Sequence, residues 1–206
     1  MNLSMPSSMT LRTCLVLVLL LGVSLAAQAA EPTPESALAT HNAQVVRLNQ
    51  TAMGVLLGWA VLNLGTGTVG HFTTEGERRA FFQANAAWNV VNLAIAGFGL
   101  HGQLTATPET WDLARSLAEG QKMEKLLLLN TGLDVGYIAF GGLLLERGLR
   151  KDSAQLRGWG QSLLVQGAFL LLFDAVLWGL NWRLDSQLTA RLVPAPHGVG
   201  LMLTWP

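Results

Sequence analysis

Two aspartates carry the chemistry that this sequence offers. Asp134 is the only charged residue between 126 and 145, and Asp174 the only one between 158 and 182. A carboxylate in such an apolar stretch, with no Lys or Arg beside it, is costly to keep ionised. It must be protonated, share a proton with a second acid, or hold a mobile cation. Neutral Asp hydrogen-bonded to Asn, Gln or Tyr demands least. The amides that could serve recur at helical spacing. Asn85, Asn89 and Asn92 fall at i, i+4 and i+7, and Asn130, Asp134 and Tyr137 repeat that arrangement. Gln166, Asp174 and Asn181 form a third stripe, and Trp59, Asn63 and Thr66 a fourth. Lipid solvates none of them, so the four stripes should converge on one interior.

Depth can be counted along the chain. Asp134 lies nine residues after Lys125, and Asp174 lies nine residues before Arg183. At about 1.5 Å per residue, each carboxyl stands roughly 13 Å inward from its cation. Asn92, nine residues before His101, belongs to the same level. Whether the two acids touch depends on helix rotation, which spacing does not fix.

The elements that must position these residues follow from charge-free windows. Arg47 to Glu75 and Arg79 to Glu109 enclose two long stretches without a formal charge. With the windows around the two aspartates they make four, each long enough for one helix of about 20 residues across a bilayer core. Spans are expected near 50–70, 81–102, 126–145 and 160–181. Short cytoplasmic loops collect Lys and Arg, and the loops 71–80 and 146–157 hold Arg78, Arg79, Arg147, Arg150, Lys151 and Arg157. Those loops read as inside and both mature termini as outside. Trp159 near the inner face, and Trp178 and Trp182 near the outer, suit an aromatic belt.

Ahead of the spans, residues 1–29 have the layout of a cleavable signal peptide. Arg12 precedes an apolar run from Cys14 to Ala26, and Ala27-Gln28-Ala29 suits cleavage before Ala30. Residues 30–49 read as an outer N-terminal segment, with Thr33-Pro34-Glu35 as a helix start. Thr107-Pro108-Glu109 offers another, for a short helix on the outer surface with Trp111, Ala114 and Leu117 on one face. Residues 183–206 read as an outer C-terminal tail.

Composition removes several function classes. Half of the 206 residues are hydrophobic, 13% are charged and the net charge is zero, against about a quarter charged in soluble domains. No basic cluster marks a nucleic-acid partner. One cysteine, Cys14, forms no internal disulfide and no CxxC. A haem bundle needs facing histidines, whereas His71 and His101 end successive spans at opposite membrane faces. His41 and His197 read as surface histidines of the outer segments. No Ser-His-Asp set, phosphate loop or HExxH is visible, so neither cofactor nor metal is expected. Gly54-xxx-Gly58 and Gly132-xxx-Gly136 read as close helix packing.

Several linked blocks carry a resemblance. Phe82-Gln83-x-Asn85-xx-Trp88-Asn89-xx-Asn92-Leu93, Leu129-Asn130-x-Gly132-Leu133-Asp134-Val135-x-Tyr137-Ile138 and Leu156-x-Gly158-x-Gly160-x-Ser162-xxx-Gln166-Gly167 are followed by Phe173-Asp174. Across about residues 50–180 this resembles a family of small uncharacterised bacterial membrane proteins. The resemblance implies the four-span layout and no particular chemistry.

The expected molecule is therefore all-α, a polytopic membrane four-helix bundle over 50–182 in a bacterial inner membrane. One functional reading is binding or transport of a small ligand, proton or cation at the Asp134/Asp174 level. Around it stand Asn63, Asn85, Asn89, Asn92, Asn130, Tyr137 and Gln166. The alternative is a structural or interaction protein of the envelope, whose partners beyond the lipid bilayer are a second copy or another envelope protein. In that case the buried amides only hold the helices together, each contributing about 0.5–2 kcal/mol. An enzyme stands behind both, because nothing supplies a nucleophile.

Overall fold

The computed structural model describes residues 33–192, and the expected signal peptide and the end of the tail lie outside them. Four long helices make up this part: α1 (Pro34–Thr73), α2 (Gly76–Leu104), α3 (Leu113–Arg150) and α4 (Ala154–Leu192). Capping fixes their starts. Thr33 Oγ1 accepts from Ser36 N at 3.3 Å at the head of α1, and Asp112 Oδ1 accepts from Arg115 N at 2.8 Å at the head of α3.

Two turns fold the chain into antiparallel hairpins. Between α1 and α2, Gly76 adopts φ +57°, the left-handed conformation that glycine enters without steric cost. Between α3 and α4, Asp152 does so at φ +47°, and Ser153 N closes the turn on Gly148 O at 2.9 Å. The α2–α3 connection is longer. Its 3₁₀ turn, Pro108–Thr110, crosses onto α1, where Asn42 Nδ2 donates to Pro108 O (3.3 Å) and Trp111 O (3.1 Å).

Three expectations about boundaries change. α1 begins at Pro34 and runs unbroken to Thr73, so most of residues 30–49, expected as a separate N-terminal segment, is helix continuous with the first charge-free window. The short helix expected to start at Thr107-Pro108-Glu109 is the 3₁₀ turn Pro108–Thr110, and Ala114 and Leu117 belong to α3, which is capped by Asp112 and continuous to Arg150. α4 likewise continues past residue 182 to Leu192. At 1.5 Å per residue these three helices are about 57–60 Å long, nearly twice a hydrocarbon core of about 30 Å. Their added length meets at the end of the bundle where α2 leads to α3. There His41 Nε2 lies 3.3 Å from Asp185 Oδ1, and Ser116 Oγ donates to Asn42 Oδ1 at 2.6 Å. His41 is thus buried between helices, not a surface histidine.

The packing is asymmetric. α4 lies against all three other helices, whereas α2 and α3 share no extended backbone contact. The α3–α4 crossing is set by glycine: a Cβ on Gly160 would stand 2.6 Å from Gly141 O and Leu145 N. The glycines expected to pack differ. A Cβ on Gly54, Gly58, Gly132 or Gly136 would meet nothing within 4 Å, so these pairs face outward.

Polarity is distributed inside out. The largest fully enclosed side chains are Gln166, Asn42, Asn49, Asn89 and Ser162, while Leu62, Val69, Phe72 and Phe98 lie on the surface. A soluble domain does the reverse. α1, α3 and α4 are each long and apolar enough to cross a membrane. α2 is not among them, because three of its five buried residues are the asparagines 85, 89 and 92. Its outward face is nevertheless apolar, through Val90, Ile95 and Phe98.

Candidate functional site

The stripe on α2 becomes the spine of a buried network, because i, i+4, i+7 spacing turns all three amides toward α1 and α4. Asn85 is its hub. Its Nδ2 donates to Asn63 Oδ1 (3.1 Å) and Asn63 O (3.2 Å), and its Oδ1 accepts from Gln166 Nε2 at 2.5 Å. Gln166 in turn accepts from Trp59 Nε1 at 3.0 Å, and the Trp59 ring stacks on Phe169 at 3.7 Å. Asn89 Nδ2 reaches back to Asn85 O at 2.8 Å, and Asn92 Nδ2 donates to Asn89 Oδ1 at 3.2 Å. Three helices are joined through amides that satisfy one another, as burial requires.

Asp134 on α3 and Asp174 on α4 sit beside this network. Both are buried, and both line one cavity from adjacent helices. Counting placed them at one level; the α3–α4 crossing supplies the rotation that brings them together. Asp134 Oδ2 is fully enclosed and has no hydrogen-bond partner. No Lys or Arg reaches either acid among the described residues.

Both acids line a cavity of about 500 Å³ between α2 and α3, floored by α1 and α4. Asn49, Asn92 and Tyr137 share its wall, and Trp88 and Tyr137 meet across it edge to face at 4.5 Å. Trp88 Nε1 is a second enclosed polar atom without a partner. Glu119 and Lys122, an exposed pair at 3.5 Å, stand on α3 toward the end where α2 leads to α3.

Two expected residues do not join the interior. Asn130 is exposed, although it lines the cavity. Thr66 is exposed as well, and its hydroxyl donates to Leu62 O at 2.8 Å within its own helix. Asn181 does turn inward, donating to Leu177 O at 2.9 Å and reaching Asn49 Oδ1 at 3.5 Å. Asn49 was not singled out from the sequence. Its signal was present, since Asn42, Val45, Asn49, Ala52, Leu56 and Ala60 follow a helical stripe that starts before the charge-free window.

At the hairpin end, Arg157 Nε donates to Glu77 Oε2 at 2.7 Å and Gln161 Nε2 to Glu77 Oε1 at 2.6 Å. The Arg157 hydrogen bond holds the Glu77 carboxyl below the ordinary glutamate range, with Gln161 adding to it. His71 and His101 occupy the last turns of the antiparallel α1 and α2, at opposite ends of the bundle. Among the described residues, no three His, Cys, Asp or Glu side chains are grouped to hold a metal ion.

No curated protein and no solved structure matches the chain. A family model does match, over residues 55–175, a stretch that contains the amide network, both aspartates and the linked blocks from Phe82 to Asp174. More than half of the chain lies within that match, and the chain therefore belongs to a family of unknown function, DUF6992.

Proposed function

We propose that this chain is an integral membrane protein with four spans that binds a small cationic ligand or proton at the Asp134–Asp174 pair. The observation that carries this reading is the enclosed Asp134 Oδ2, left without a donor in a residue that lines a cavity together with a second carboxyl. The amides of the neighbouring network are matched to one another, whereas the cavity wall holds two residues with an enclosed, unpartnered polar atom, Asp134 and Trp88, and of these only Asp134 can carry a negative charge. An intramembrane acid without a fixed counter-charge marks a functional site.

The membrane reading is supported by the polar interior, the apolar exterior and the three helices of sufficient length. α2 completes the set because its asparagines face inward and its exposed residues between 84 and 100 are all apolar. The bacterial inner membrane, with both termini on the periplasmic side, is supported by the basic residues at the hairpin turns.

The test uses the full chain purified in detergent, as wild type, Asp134→Asn and Asp174→Asn. Melting midpoints are recorded from pH 5 to 8, with sodium, potassium or neither. The wild type should respond to pH or cation and both variants should not. An identical response in all three proteins overturns the reading.

A second reading is favoured by the outward-facing Gly54, Gly58, Gly132 and Gly136, which leave room for another helix to approach closely. In that reading the chain is an envelope interaction protein, and crosslinking through those faces should capture a partner or a second copy.

A further inference from the structure

The cavity is much larger than an ion requires. At about 500 Å³ it falls within the ~300–1,000 Å³ range of small-molecule sites, more than ten times the ~30 Å³ share of one water molecule. Its walls are mainly apolar, with Met53 and Leu56 on the floor and Val91, Ile95, Phe98 and Leu126 along the sides. Those four side residues are also exposed on the outer surface of the bundle, Phe98 by 81%. The cavity therefore continues sideways into the gap between α2 and α3, where the two helices have no extended backbone contact. Asp134 and Asp174 stand at one end, where the rings of Trp88 and Tyr137 meet edge to face across the gap, and the exposed ion pair of Lys122 with Glu119 stands at the other.

Resting on the reading that the acid pair binds a cation, we propose that the ligand is a single-chain amphiphile with a protonated amine. The ammonium lies at the Asp134–Asp174 pair, and the apolar body occupies the cleft between α2 and α3, entered sideways from the lipid. Charge complementarity selects the amine, since two acids without a fixed cation accept its donors and disfavour an anionic headgroup. Aromatic faces nearby add attraction for the same charge. The apolar walls select the chain, which would otherwise contact lipid.

The probe is radiolabelled N,N-dimethyldodecylamine, bound to the purified full-length protein in a non-ionic detergent. Dodecanol and tetramethylammonium serve as competitors that carry the chain or the charge alone. Saturable binding is expected, weakened at least tenfold by Asp134→Asn and, separately, by Val91→Trp, with little competition from either half-ligand. Val91 is exposed, so its substitution narrows the cleft without disturbing the interior. If tetramethylammonium competes as well as unlabelled amine and Val91→Trp binds normally, the amphiphile proposal falls while the acid-pair reading stands. If dodecanol competes fully and Asp134→Asn binds normally, the cleft is only an apolar crevice and the proposal falls. Should cation and pH responses also be indifferent to both aspartates, the acid-pair reading falls with it.

Discussion

Asp134 and Asp174 are buried on adjacent antiparallel helices and line one cavity, with one oxygen of Asp134 enclosed and unpartnered. Two acids in that position repel unless a proton or cation stands between them. Asparagine at either site keeps the shape and donates to the remaining carboxyl. Asp174→Asn should therefore melt at or above the wild type at neutral pH, with a gain of about 1 kcal/mol. Thermal denaturation followed by circular dichroism reads this. A loss of similar size would mark the pair as packing alone.

Gln166 presents the opposite case, because every polar atom around it is matched. It accepts from Trp59 Nε1 and donates to Asn85 Oδ1, linking α1, α2 and α4. Gln166→Leu keeps the approximate volume and strands both partners. The expected cost is about 1–2 kcal/mol, between the modest values of hydrogen bonds in membranes and the larger penalty for an unsatisfied buried group. Gln166→Glu should be harmful at neutral pH and less so in acid, since only a protonated carboxyl can donate to Asn85 Oδ1 while accepting from Trp59. A Gln166→Glu deficit that shrinks as pH falls, beside a Gln166→Leu deficit that does not, attributes the loss to the hydrogen bonds.

How far the sequence discloses this site depends on what each residue's signal measures. Periodicity reports the face of a helix, so Asn85, Asn89 and Asn92 are legible as one buried stripe. Counting from Lys125 and Arg183 reports depth, and the two aspartates do share a level. Neither reports the rotation of one helix against another, which the Gly141–Gly160 approach sets. Charge-free windows report where formal charges stop rather than where a helix starts, and so they cut α1 short and miss Asn42, while Asn49 lies inside the window but one residue before the expected span. Gly54-xxx-Gly58 shows that close packing is available on one face, but not whether this chain occupies that face. The cavity arises because α2 and α3 stay apart, a property of the whole bundle that no single segment encodes.

Glycine substitutions make that distinction measurable. Gly160→Ala places a methyl group 2.6 Å from backbone atoms of α3, which cannot yield as a flexible side chain does. A loss of about 1–3 kcal/mol is expected as the helices separate. Gly58→Ala meets nothing within 4 Å and should stabilise the isolated chain by about 0.5–1 kcal/mol through helix propensity. If Gly58→Ala instead lowers the melting midpoint and changes the oligomer seen by light scattering, a second helix covers that face.

The hairpin end yields a prediction in pH, and its sign follows from the Glu77–Arg157 pair. Arg157, near the start of α4, reaches Glu77 at the start of α2 at 2.7 Å, and its second branch reaches Asp152 at 3.0 Å. The Arg157 hydrogen bond lowers the Glu77 pKa from its ordinary 4.5. A carboxyl whose pKa is depressed on folding stabilises the fold above its unfolded pKa and loses that contribution as pH falls through the folded value. The stabilisation is thus complete near neutrality and disappears in the acid range below 4.5. Glu77→Gln should melt lower than the wild type at pH 7, and the difference should shrink toward zero as the buffer is taken below pH 4. The pair is partly solvated, so added salt should reduce the difference at pH 7 as well. A gap that persists unchanged in acid would show that Gln161 and packing, not the ion pair, fasten α4 to α2.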